Sequence, residues 1–422
     1  MSTHLRKANE LCRKGNFTQA KQCYEQALRL QPQNAKVLEM LGTLALWENN
    51  IEQAIVYLQQ SDNQASWWQR RWPFYSQLCS RIAMAYYRKD DYINAALWYA
   101  KASGPWPIGP FRTLKVLQRQ LAAFRNEQPY VLHGQEETHI PFIMLDPLPV
   151  VEVYVTGKGP YNFFIDTGGA EVILQTQLAD ELGVETYGEI IGDFAGGKKA
   201  PMALGKLESL KAGDMLIKNI PAHVHPLTGA EEIFHHPIHG VIGTSLLRHF
   251  YTSIDYANRE LVLRQLSEHS AGWMETVAQS NISVPFWLIE MHMMMARGNI
   301  NDLDSSLFFV DTGLGNRGFL ASQSLIDLTG FTLDWSKVEA SPGGGGEVRS
   351  VNFSIDKITL GEGVNRFSKE NVTASQHQGE LAIFKGVLGF DVEGLISHDF
   401  FKQTCLTMDF QKMRLIIQST GE

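Results

Sequence analysis

The sequence predicts a chain of two structural kinds, an all-α helical repeat in front and a bilobal, all-β region behind. Three observations carry this. Up to about residue 128, apolar residues recur at helical spacing between regularly placed turns. After it, short alternating runs are separated by Gly and Pro. Within that back region two stretches repeat one another, each with Asp-Thr-Gly closing an apolar run, at Phe163-Phe164-Ile165-Asp166-Thr167-Gly168 and Phe308-Phe309-Val310-Asp311-Thr312-Gly313.

In the front region Leu5, Ala8 and Leu11 form one stripe, Gly15-Asn16-Phe17 turns the chain, and Ala20, Tyr24, Ala27 and Leu28 form a second stripe that Pro32 stops. The unit recurs over residues 35–61, turning at Asn49-Asn50-Ile51, and over residues 76–107, turning at Asp90-Asp91-Tyr92 and ending at Pro107. Ala8, Gly42 and Ala83, with Ala20, Ala54 and Ala95, put small side chains where paired helices approach. Residues 62–73, with Trp67, Trp68, Trp72 and Pro73, break the period. Phe111, Leu114, Leu117, Leu121 and Phe124 predict a further amphipathic helix that caps the array.

These residues resemble the tetratricopeptide repeat, of period near 34, over roughly residues 1–109. The resemblance implies a concave protein-binding face bearing Asn9, Arg13, Trp47, Tyr87 and Arg88. Leu5 stands where some members carry a lysine that clamps a C-terminal carboxylate, so that ligand is not expected. The expectation is a protein partner held by the repeats, with a spacer or a brace within the chain as the alternative.

A chain of 422 residues is long for one core, which predicts two or three domains. No apolar stretch reaches the length of a membrane span, and no membrane association is expected. The first residues, Met1 to Lys7, lack the apolar core of a signal peptide, which predicts a cytoplasmic chain. Cys12, Cys23, Cys79 and Cys405 form no CxxC pair and read as reduced thiols. Charge divides unevenly: residues 1–128 carry 17 basic and 9 acidic side chains, residues 129–422 carry 20 and 36. The two parts are therefore expected to attract one another, or the front to collect acidic partners. Its basic residues are scattered along helices, so no nucleic-acid partner is expected.

The back region is a duplication beyond its Asp-Thr-Gly segments. The block from Gly240-Val241-Ile242-Gly243 through Ser253-Ile254-Asp255 aligns without a gap on Gly394-Leu395-Ile396-Ser397 through Thr407-Met408-Asp409. Between motif and block each half carries a glycine-rich hairpin, at Phe194-Ala195-Gly196-Gly197 and at Gly343-Gly344-Gly345-Gly346. The expected boundaries are a repeat domain at 1–128, a first lobe at 129–266, a polar linker at 267–282 and a second lobe at 283–422.

Each Asp ends an apolar run, where an unpartnered carboxyl is costly, so each is expected to be the other's partner. Two carboxylates side by side in a partly dry site cannot both ionise. One keeps a proton and the pair titrates as a unit. The ionised member can deprotonate a water while the protonated member donates to an amide carbonyl, so hydrolysis needs no cofactor and no metal.

This arrangement resembles the retropepsin and pepsin aspartic peptidases over about residues 138–422. The resemblance implies catalytic Asp166 and Asp311, tight turns at Gly168 and Gly313, interlocked Thr167 and Thr312, and flaps at the two glycine hairpins. A flap in each half is more similar to a retroviral protease dimer fused into one chain than to pepsin, and bacterial single-chain retropepsin-like proteins are the nearest named family. It implies a protein or peptide substrate lying extended between the lobes. Three positions depart from the pattern. Ser397 replaces a glycine, so that half is expected to pack differently. Gly169 and Leu314 stand where pepsins carry a hydroxyl that bonds the Asp, which should raise the pair's pKa values and move activity toward neutral pH. The alternative reading is a non-catalytic peptide-binding scaffold, whose carboxyls would be splayed apart.

Other motifs carry less. His223, His225, His235, His236 and His239 are irregularly spaced for zinc. Gly343 to Gly346 lack the Lys-Ser/Thr of a phosphate loop. Met291 to Met295 read as the edge of a β core, and Ser354 to Lys357 match SxxK by spacing alone.

Overall fold

The computed structural model describes residues 2–67, 70, 74–104, 109–301 and 303–419. The expected breaks at Trp68, Trp72, Pro73 and Pro107 lie outside the described residues. The front region is a run of helices, α1 (Ser2–Arg13), α2 (Phe17–Leu30), α3 (Ala35–Trp47), α4 (Ile51–Gln64), α5 (Phe74–Arg88), α6 (Tyr92–Ser103) and α7 (Pro110–Ala122). The helix starts are set locally. Asn34, Asn50 and Asp91 cap α3, α4 and α6 by accepting the N–H of Val37, Gln53 and Asn94. The three turns within the helix pairs place Gly15, Asn49 and Asp90 at φ of 70°, 55° and 58°, a left-handed conformation that glycine, asparagine and aspartate tolerate best.

Behind the helices lie two sheets, of eight and thirteen strands among the described residues. In each lobe the strand that leads into the Asp-Thr-Gly turn runs parallel to the apolar strand of the closing block. Lys158–Asp166 pairs with Gly240–Gly243, and Ser306–Val310 pairs with Gly394–Ile396. The closing hairpins of the two lobes then join edge to edge. Phe250–Asp255 pairs antiparallel with Thr404–Asp409, in the register Ser253↔Thr407. Glu260–Gln265 and Arg414–Ser419 flank them, Glu137–Pro141 forms one edge of the sheet, and on the other side the sheet continues through Ile282–Ile289 into the remaining strands of lobe two. One sheet therefore bridges both lobes.

The expected linker is largely a helix, Glu268–Ser280. Ser267 and Ser270 cap it reciprocally, N–H to hydroxyl, at 3.0 and 3.1 Å. Met274 and Ala278, one turn apart, are buried in a cluster with Tyr251 and Ile416. The polar composition of the stretch conceals that narrow apolar stripe.

The repeats and the lobes share their cores. Phe17 of α2 meets Trp47 of α3, Trp287 and Phe390 edge-on, with ring centroids 4.9, 5.1 and 5.2 Å apart. Each intra-repeat turn rests on the β region. Asp391 N–H donates to Arg13 O at 2.8 Å, Asn49 Nδ2 donates to Phe410 O at 2.9 Å, and Asp90 takes the guanidinium of Arg248 at 2.6 Å. The expected attraction of basic front for acidic back holds only for pairs such as Arg13–Asp391. Asp90–Arg248 and Glu127–Lys206 run the other way. No helix among the described residues is long and apolar enough to cross a membrane.

Candidate active site

The two Asp-Thr-Gly turns meet at the junction of the lobes. Thr167 N–H donates to Thr312 Oγ1 at 3.1 Å, and Thr312 N–H donates to Thr167 Oγ1 at 2.9 Å. Thr167 Oγ1 donates in turn to Val310 O at 3.2 Å, and both threonines are fully buried. This reciprocal clasp sets how close the two aspartates can come. Each carboxylate accepts the N–H of its own glycine, Asp166 from Gly168 at 2.7 Å and Asp311 from Gly313 at 2.9 Å.

The glycines also make room across the junction. A Cβ on Gly168 would fall 2.4 Å from Asp311 Cγ, and one on Gly313 would fall 2.0 Å from Asp166 Oδ1. Only glycine admits the opposing carboxyl there. Asp166 and Asp311 therefore adjoin, each carboxyl set against the glycine of the other motif. Lost hydration pushes both above the usual carboxylate range, and the charge of Asp166 pushes Asp311 further. The splayed geometry expected of a scaffold is not what these two carboxyls adopt.

Both expected flaps are hairpins. Thr186–Phe194 and Lys198–Ala212 flank the first tip, Glu339–Ser341 and Val348–Glu362 the second. The tips touch. A Cβ on Gly344 would fall 2.5 Å from the Phe194 ring, one on Gly345 would fall 2.6 Å from Lys198 Cβ, and one on Gly196 would fall 3.1 Å from Val348. Phe194 also packs on the His225 ring, with centroids 4.6 Å apart.

Ser397 does pack differently from its counterpart. A Cβ on Gly243 would lie 2.3 Å from Glu171 O, so lobe one requires glycine. In lobe two the buried Ser397 hydroxyl donates to Arg317 O and accepts Asp399 N–H, capping the turn His398–Phe401. At the other departure, a Cβ on Gly169 would sit 3.4 Å from Asp166 Oδ2, where a serine hydroxyl would have room to bond.

The expected repeat groove is largely spent within the chain. Trp47, Tyr87 and Arg88 are 7, 3 and 5% exposed. Trp47 packs on Phe390, Arg88 donates to the carbonyls of Leu288 and Glu290, and Arg13 pairs with Asp391. Asn9 stays exposed and accepts the hydroxyl of Tyr24 at 2.6 Å. Trp47, Tyr87 and Arg88 are buried against the β lobes, because the helix ends that carry them face those lobes, whereas Asn9 and much of Arg13 stay exposed.

Sequence reasoning missed Glu171. It is 1% exposed and accepts the hydroxyls of Tyr87 and, at 3.0 Å, Tyr130. Burial pushes its carboxyl up to about 7, against those bonds and the Arg248 charge. A carboxyl opening the apolar run Val172-Ile173-Leu174 was the available signal.

Residues 151–246 match the aspartyl protease family, and residues 11–66 match the tetratricopeptide repeat. No curated protein matches the sequence. Among solved structures, soybean basic 7S globulin is similar at 10% identity, with a TM-score of 0.42 over 69% of this chain and 96% of that one. Conglutin gamma from lupine seeds is similar at 9% identity, with a TM-score of 0.42 over 68% and 96%. The fold is a helical repeat region followed by a bilobal aspartic protease fold.

Proposed function

We propose that the chain is an aspartic-type endopeptidase whose catalytic groups are Asp166 and Asp311. The observation that carries this reading is the adjoining pair of carboxyls, each packed on the other motif's glycine. With one proton between them, the ionised member takes a proton from a water as that water attacks the amide carbon. The protonated member gives its proton to the carbonyl oxygen. Collapse of the tetrahedral species breaks the C–N bond, and the leaving nitrogen takes up a proton from the pair. A peptide would lie between the lobes beneath the flaps, which must part to admit it. The spent groove argues that the repeats act as a frame, with outside recruitment left to their free surfaces.

The test is digestion of a proteome-derived peptide library, read by mass spectrometry. The wild type is expected to cleave internal peptide bonds. Asp166→Asn and Asp311→Asn are each expected to abolish cleavage while keeping the wild-type melting transition. Cleavage near the wild-type rate by either variant would refute the paired-acid mechanism.

A further inference from the structure

The loop that carries Asp166 is held from behind, and the hold begins in the repeats. Residues 167–171 return from the motif toward the strand Val172–Gln175, and their polar groups are bound in sequence. The carbonyls of Thr167, Gly169 and Ala170 accept Thr244 Oγ1–H at 3.0 Å, Thr244 N–H at 2.9 Å and Ser245 N–H at 2.8 Å. Three residues further on, Arg248 donates to Arg88 O at 3.0 Å and pairs with Asp90 at 2.6 Å. On the other side the Glu171 carboxyl takes the Tyr87 hydroxyl. Both paths end at the close of α5. The capping helix α7 adds a contact nearby: Gln120 Nε2 donates to Gly205 O at 2.8 Å, on the strand that also bears the first flap.

Lobe two is built otherwise here. The counterpart of Glu171, set by the matching pairs Ile173↔Val241 and Leu320↔Leu395, is Gly318, which has no side chain to tether.

We propose that Tyr87 is a positioning residue: through Glu171 its hydroxyl fixes the loop bearing Asp166, which makes the third repeat part of the catalytic frame of lobe one. The proposal rests on the peptidase reading for its effect on rate, but the hold itself does not. Tyr87→Phe removes one hydroxyl and keeps the ring, which stacks on Tyr92 at 5.0 Å. The buried carboxyl then loses one of its two phenolic donors.

The experiment compares full-length wild type and Tyr87→Phe by hydrogen–deuterium exchange and by cleavage of the same peptide library. Exchange over residues 166–172 is expected to rise about tenfold or more, while the pseudo-equivalent loop 311–318 stays as protected as in the wild type. For the best-cleaved library peptide, kcat is expected to fall about ten- to a hundred-fold with KM nearly unchanged, as misplacement of a reacting group dictates. Unchanged exchange at 166–172, or an equal rise at both loops with a lowered Tm, overturns the proposal. If exchange rises locally but neither protein cleaves the library, the hold stands and the peptidase reading falls. Should Tyr87→Phe fail to fold, Glu171→Gln (which keeps an acceptor for the hydroxyl) is compared with Glu171→Leu. Equal exchange in those two also overturns it.

Discussion

Ser253 and Thr407 face each other across the seam between the lobes, their hydroxyl oxygens 2.8 Å apart, and they occupy the same position in the duplicated sequence. The pairing register is symmetric about them, since Thr252 meets Met408 and Ile254 meets Leu406. Thr167 and Thr312 form a second such pair. Two self-equivalent contacts define a pseudo-twofold axis through one polypeptide, and Asp166 and Asp311 flank it.

The threonine clasp should be worth measuring directly. Thr167→Val leaves the buried Thr312 N–H and Val310 C=O without their partner. The expected cost is about 2–4 kcal/mol in urea unfolding, with a loss of cleavage larger than the loss of folded protein.

The lobes should respond unequally at one pair of equivalent sites. Gly243→Ala drives a methyl into Glu171 O and is expected to cost about 1–3 kcal/mol or more. Ser397→Gly removes only a cap and one carbonyl contact, for about 1 kcal/mol. Thermal melts of the two variants check the order.

Glu171 predicts a pH-dependent stability. Its carboxyl titrates near 7 when folded against 4.5 unfolded, so the unfolded chain releases the proton first. Its contribution is whole below pH 4.5 and is lost as pH rises through about 7, a change of roughly 3 kcal/mol. Glu171→Gln does not titrate there, so its stability curve should lack that slope and the difference between the wild-type and variant curves should display it.

Activity should peak above the ordinary carboxyl range of about pH 4. The Asp166–Asp311 pair keeps its shared proton to higher pH because both carboxyls are raised. Acid also works against the fold. Burial holds His223 down to about 3 and His292, His377 and His398 down to about 4. Their contribution is present above the unfolded histidine value of 6.5 and is lost as pH falls through those numbers. A pH–rate profile on a library-derived peptide, with folding followed in parallel, separates the two limbs.

Repeats and lobes should melt as one unit, because Phe17 packs on Trp287 and Phe390 of the β region. Phe17→Ala is expected to cost about 3–5 kcal/mol and to lower a single transition. Two separate transitions in the wild type would contradict a shared core.

What the sequence by itself determined was local or repetitive. Gly15, Asn49 and Asp90 mark turns because few residues adopt their backbone geometry, and the duplicated block reveals two lobes because the same segment must fold the same way twice. It also marked Asp166 and Asp311, since a carboxyl at the end of an apolar run needs a partner. Only the tertiary structure decided what Trp47, Tyr87 and Arg88 touch. Aromatic and guanidinium groups at helix ends suit an outside protein and the chain's own lobes equally well, and distance through space made the choice. The same holds for Glu171, whose donors lie 84 and 41 residues away along the chain, and for the helix at 268–280, whose narrow stripe has meaning only beside Tyr251 and Ile416.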